Sequence, residues 1–162
     1  MDQGPEDITP EHVLHSAAAR LLDVQVETYH ALDTRNANII SVSSTVLPLA
    51  FGLLAIREQE IPATAEKALA GAVVCYALVL IFAWFSSRIR ALEYRPHLPT
   101  LRAHASRYSG PVLQRWVANE YVSATIENEI ALQRKAQRIG WANTLLYLEG
   151  LFLALAAALT LL

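Results

Sequence analysis

The sequence predicts an all-α integral membrane protein with three transmembrane helices, the first and third being long helices that extend into a cytoplasmic helical stalk. Three observations lead there. Hydrophobic residues make up 54% of the 162 and charged residues only 17%, unlike an ordinary soluble domain. The apolar residues are gathered into runs: 21 uncharged residues separate Arg35 from Arg57, 20 separate Lys67 from Arg88, and Glu149 alone carries a charge after Arg138. Each run can cross a hydrocarbon core about 30 Å thick at about 1.5 Å per helical residue. Finally, charge is segregated although the formal net value is only −2. Residues 1–37 hold seven acids and two Arg, whereas 88–138 hold nine Lys or Arg against four Glu. The positive-inside bias places that basic segment in the cytoplasm, the N-terminus inside and the C-terminus outside.

Taken in order, residues 1–10 form an acidic leader framed by Pro5 and Pro10, and 11–162 form a single helical membrane domain. Thr9 before Pro10 and Glu11 reads as an N-cap with Pro at the first helical position. Leu14, Ala17, Ala18, Leu21, Gln25, Thr28 and Leu32 then recur at three-and-four spacing, and no Gly or Pro separates them from the first span at about 38–56. One continuous helix is expected. No apolar core precedes that span, so no cleavable signal is expected. A short connection containing Pro62 turns the chain into the second span, about 68–87, whose helix is expected to continue to about Tyr94.

Pro96, Pro99, Gly110 and Pro111 mark a break, with a short helix expected from Leu98 to Tyr108. A second very long helix follows from Val112, with Leu113, Trp116, Val117, Tyr121, Ala124, Leu132 and Ile139 on its apolar face, ending in the third span at about 141–162. The stalk comprises 11–37 and 88–140. Aligning the membrane boundaries near Asn38 and Trp141 gives an offset of about 103 to 105 residues and lays Leu14 by Val117, Leu21 by Ala124 and Leu32 by Ala136.

Glu149 is the strongest candidate site. A carboxylate about 12 Å below the interface is unfavourable by a few kcal/mol unless it is protonated or paired. The register brings Ser44 and Thr45 to its depth, with Asn143 on its own helix. Arg88, Arg90 and Arg95 follow the second span, and Arg134 and Arg138 precede the third. They suit anionic lipid headgroups, or the phosphate of a small messenger. Cys75 stands alone, excluding an intrachain disulfide. His12 and His15 share a turn with Glu11 but lack a third ligand cluster, so no metal is expected, and no other cofactor is implied. No nucleophile–base ordering, zinc-protease motif or Gly-rich phosphate loop occurs, which argues against an enzyme. Too few aromatics accompany the basic residues for a nucleic-acid platform.

Leu32-Asp33-Thr34-Arg35 before the first span, and Asn128, Leu132, Lys135 and Ala136 before the last, resemble the transmembrane effector domains of Pycsar antiphage systems. More loosely they resemble the SLATT membrane domains. The resemblance covers about residues 20–162 with short motifs. It implies a small bacterial inner-membrane protein that, once triggered by infection, oligomerises and disrupts the membrane in nucleotide-signalled defence. The implied partners are anionic lipids, further copies of the chain, and a cyclic-nucleotide messenger or a sensor protein. A separate nucleotide-binding β-roll is not expected within these 162 residues, so a messenger is expected to act through the helices or a partner. At the stalk exit the register sets Asp33 near Lys135 or Arg138, an expected ion pair, with Asn128 on the same face as Lys135. The alternatives are a constitutive ion-conducting channel subunit and a membrane-anchored scaffold. The small residues Gly150, Ala154, Ala157 and Ala158 favour self-association.

Overall fold

A computed structural model describes residues 9–55, 62–89, 92–93 and 95–161. Among these the chain forms four helices: α1 (Pro10–Ala55), α2 (Ala63–Ser87), α3 (Leu98–Ala105) and α4 (Gly110–Leu161). The leader, apart from its last two residues, lies outside the described residues, as does Arg90. Two compact units result, Met1–His30 with Ala91–Gln133 and Ala31–Arg90 with Arg134–Leu162.

In the first unit, α1 starts where Thr9 Oγ1 accepts the His12 N–H at 3.3 Å, and the Val13 N–H reaches the Thr9 carbonyl at 3.1 Å. Ala18, Leu22 and Gln25 are buried on α1, and Ala118, Thr125, Asn128 and Leu132 on α4. Steps of three, four and seven residues are the spacing of helices packed nearly parallel. Contacts between His12 and Gln114 at 3.3 Å, His15 and Tyr121 at 5.6 Å between ring centroids, and Gln25 Nε2 and the Thr125 carbonyl at 3.0 Å fix the register. α3 lays the His104 ring 4.3 Å from that of Trp116.

Of the face expected on α1, Ala18 and Gln25 are buried, and in the second unit Leu32 packs against the Ile39 cluster. Leu14 and Leu21 are 42% and 51% exposed, and Ala17 and Thr28 are exposed too. The expected set is broader than the seam, which runs through Ala18, Leu22 and Gln25 and uses the small Ala and the bonding Gln to bring the helices close. The exposed residues, with Val24, form an uncovered stripe. Val122, Ile126 and Ile130 are similarly exposed on α4.

In the second unit, Asn36, Ile39, Ser43 and Leu47 of α1 face Lys135, Ile139, Ala142, Glu149 and Ala156 of α4. α2 presents Ala65, Ala68, Ala72, Cys75, Val79 and Ala83. Its small side chains admit close neighbours. Ile39, Val79, Ile139 and Ala142 form one apolar cluster, and Ala68, Leu69 and Ala156 another. The expected extension of α2 to Tyr94 does not occur: the helix stops at Ser87, and the last turn tightens as the Ile89 N–H bonds to the Ser86 carbonyl. In the first unit, Asn128 takes both backbone groups of Glu93, accepting its N–H at 2.8 Å and donating to its carbonyl at 3.1 Å. That bonding replaces what a helix would offer this residue.

By length and composition, α2 and α4 can each cross a membrane. The span expected at the end of α1 runs on to residue 56, outside the described residues.

A Cβ at Gly71 would lie 3.2 Å from the Phe152 ring, whereas nothing lies within 4 Å of one at Gly140 or Gly150. Gly71→Leu should therefore destabilise the fold by about 1–3 kcal/mol. Gly140→Ala and Gly150→Ala should leave it unchanged or stabilise it by up to about 1 kcal/mol. Unfolding in detergent micelles measures this; a Gly150→Ala loss as large as that of Gly71→Leu would contradict the packing.

Candidate functional site

A buried stripe along a helix is ordinarily apolar, yet in the second unit it carries Lys135 and Glu149 on α4 and Asn36 and Ser43 on α1. An ammonium or carboxylate removed from water needs a partner, or it destabilises the fold by several kcal/mol. Each of these side chains reaches across to another helix.

Lys135 is fully buried, and its Nζ lies 2.7 Å from Asp33 Oδ1, while the Asp33 side chain keeps 43% of its surface in contact with solvent. The long lysine stem packs inside and its charge meets a half-exposed carboxylate. Asn36, one turn after Asp33, donates from Nδ2 to the Ala83 carbonyl at 3.2 Å and to Ser87 Oγ at 3.1 Å, bonding α1 to the end of α2. Asn128, expected on the same face of α4 as Lys135, is buried as Lys135 is, and in the first unit it holds Glu93.

Glu149 is fully buried and accepts a hydrogen bond from Ser43 through Oε2. Its Oε1 has no hydrogen-bond partner among the described residues. The sequence register was one residue off here: Ser43, rather than Ser44 or Thr45, is the partner. Thr45 is exposed and turns its hydroxyl back to the Ser41 carbonyl at 2.8 Å, and Ser44 lies 3.5 Å from the Tyr76 hydroxyl on α2. Asn143 is half-buried, and its separation of six residues turns it about 240° around α4 from Glu149. Ser43 was findable, since it stands four residues after Ile39 on the same face. Its hydroxyl gave no reason to prefer it over its neighbours.

The described basic residues fall in both units. In the first unit Arg95 pairs with Glu93 at 2.6 Å and Glu127 at 3.1 Å. The Glu93 hydrogen bond, and then the Glu127 charge, push its pKa above the ordinary guanidinium value. In the second unit Arg138 Nη1 donates to the Phe85 carbonyl at 2.7 Å, and the Arg88 guanidinium lies 4.1 Å over the Trp84 ring. Arg134 is exposed. The carboxylates on Arg95 occupy donors that a phosphate would need. Among the described residues no three His, Cys, Asp or Glu side chains are grouped to hold a metal ion.

Chemically, the arrangement suits holding helices in register through bonds that only one alignment satisfies. Asp33→Asn should destabilise the protein by about 1–3 kcal/mol, between the values for exposed and fully buried pairs. Lys135→Met, which removes the charge and keeps the apolar stem, should destabilise it less. Thermal unfolding of the two variants in one detergent decides the order, and a larger loss for Lys135→Met would contradict this account of the pair. Comparison with protein-family models, curated proteins and solved structures returns no match.

Proposed function

We propose that this chain is a small bacterial inner-membrane protein that crosses the bilayer three times, with its N-terminus in the cytoplasm and its C-terminus outside. It self-associates and acts as a membrane-disrupting effector in nucleotide-signalled antiphage defence. The observation that carries the membrane reading is the lack of protein cover on the most apolar helices. Only 33% of the most apolar 18 residues of α2, and 22% of those of α4, are buried within the molecule. A core helix of a soluble protein is mostly covered, whereas these faces are left for lipid. Val42, Val46, Leu49 and Phe51 extend the same outward apolar character to α1, which supports a third span.

The effector role rests on the resemblance to Pycsar transmembrane effectors, whose motif residues Asp33 and Lys135 here make an ion pair. Self-association is supported by the uncovered stripe of the first unit. Leu14, Ala17, Leu21 and Val24 repeat at three-and-four spacing, like a seam awaiting another helix. Outside the membrane a patch of this kind ordinarily marks an interaction surface. A second reading, a constitutive ion-conducting channel subunit, is favoured by the buried Ser43–Glu149 bond within the proposed spans.

Two measurements test these readings. Induced expression should depolarise cells only when the infection trigger is present, whereas ion flux through reconstituted vesicles without a trigger would select the channel reading. Under the effector reading, Leu21→Glu combined with Ile126→Glu should reduce crosslinked multimers at least several-fold and abolish depolarisation while helical content is retained. Undiminished crosslinking would remove the stripe from the proposal.

A further inference from the structure

A groove of about 470 Å³ between α1 and α2 is lined by Ile40, Leu80, Ile81, Trp84 and Ser87. Polar contacts bracket it. Asn36 joins the Ala83 carbonyl and Ser87 hydroxyl at one end, and Ser44 meets Tyr76 at the other. Between them, over eight residues of α1 or about 12 Å, the walls are hydrocarbon and the indole of Trp84. At the Ser87 end the Arg88 guanidinium stacks over Trp84 at 4.1 Å. A guanidinium held over a ring by its charge keeps N–H donors that can grip a phosphate in two-point fashion.

We propose that this groove binds one anionic phospholipid, with an acyl chain along Ile40, Leu80 and Ile81 and the phosphate on Arg88 beside the Ser87 hydroxyl. The inference rests on the membrane reading and deepens it by naming a lipid class and a site. Charge and shape together select this occupant. An apolar slot with a cation at one end fits an amphiphile with a negative head, and offers a free phosphate little besides Arg88. Arg95 and Arg138 do not compete, because the first is paired with Glu93 and Glu127 and the second with the Phe85 carbonyl.

The sequence contains three Trp, so Trp116→Phe with Trp141→Phe leaves Trp84 as the sole indole, and Trp84→Phe with Trp116→Phe leaves Trp141. Each full-length variant is reconstituted into phosphatidylcholine vesicles carrying, at matched mole fraction, brominated phosphatidylglycerol or brominated phosphatidylcholine, which quench indoles they touch. Phosphatidylglycerol should quench Trp84 with a relative affinity several-fold above that of phosphatidylcholine. Arg88→Gln should bring the ratio to about one without loss of helical content. The exposed Trp141 should show a ratio near one throughout. A ratio near one at Trp84 in the parent, or a ratio that Arg88→Gln leaves unchanged, overturns the lipid site. If Trp141 is quenched in the same vesicles, the membrane reading survives that result. If neither lipid quenches either Trp, both fall.

Discussion

A seven-residue rhythm of buried side chains along α1 and α4 is the constraint on which the rest of the molecule depends. An undistorted α-helix has about 3.6 residues per turn, so a buried stripe advancing by three and four stays on one side only if another helix follows it closely. In the first unit the rhythm passes through Ala18, Leu22 and Gln25. In the second it passes through Asn36, Ile39 and Ser43 on α1 and through Ile139, Ala142 and Glu149 on α4. α2 keeps a similar rhythm with Ala65, Ala68, Ala72, Cys75 and Val79, and its small side chains permit the close approach on which packing within a bilayer relies.

Within that rhythm the polar residues select one alignment. Leu, Val and Ala interfaces are nearly equivalent after a slide of one heptad, whereas Lys135 meets Asp33, Ser43 meets Glu149 and Gln25 meets the Thr125 carbonyl in one register alone. Each slide would strand a buried polar group, and a stranded group is far more unfavourable than a made bond is favourable. These residues therefore contribute specificity more than net stability, as buried polar groups in coiled coils do. Asn128 does comparable work on irregular backbone by completing both hydrogen bonds of Glu93.

The uncovered apolar surface is of two kinds, with different physical implications. In the second unit Val74, Ile81 and Leu151 belong to helices apolar enough to cross a membrane, and lipid is a sufficient cover for them. In the first unit Leu14, Leu21, Val24 and Ile126 share their helices with many charged residues, including Arg20, Asp23, Glu27 and Glu127. A charged surface of that composition suits water, and the proposal gives its apolar stripe a protein partner. The proposed effector draws on both, one for residence in the bilayer and one for assembly.

Much of the fold was legible in the sequence because helix formation and apolar runs are properties of local chain. The Thr9–Pro10 start, the breakers around Pro96 to Pro111 and the long uninterrupted courses of α1 and α4 needed no knowledge of neighbours. Even the approximate offset between the long helices followed from aligning the ends of apolar runs, which brought Asp33 to the neighbourhood of Lys135. The inner face of α4 was legible too, since Val117, Ala124, Leu132 and Ile139 are buried as expected, and what the tertiary structure alone decided was which residues of the broader α1 face lie inside. On α1 the expected face held both the buried Ala18 and Gln25 and the exposed Leu14 and Leu21, and what divides them is how closely two backbones approach and what bonds they complete. The same cause moved the partner of Glu149 from Ser44 or Thr45 to Ser43. A one-residue step turns a helix by about 100°, which leaves composition and spacing unchanged while exchanging the buried side chain for an exposed one.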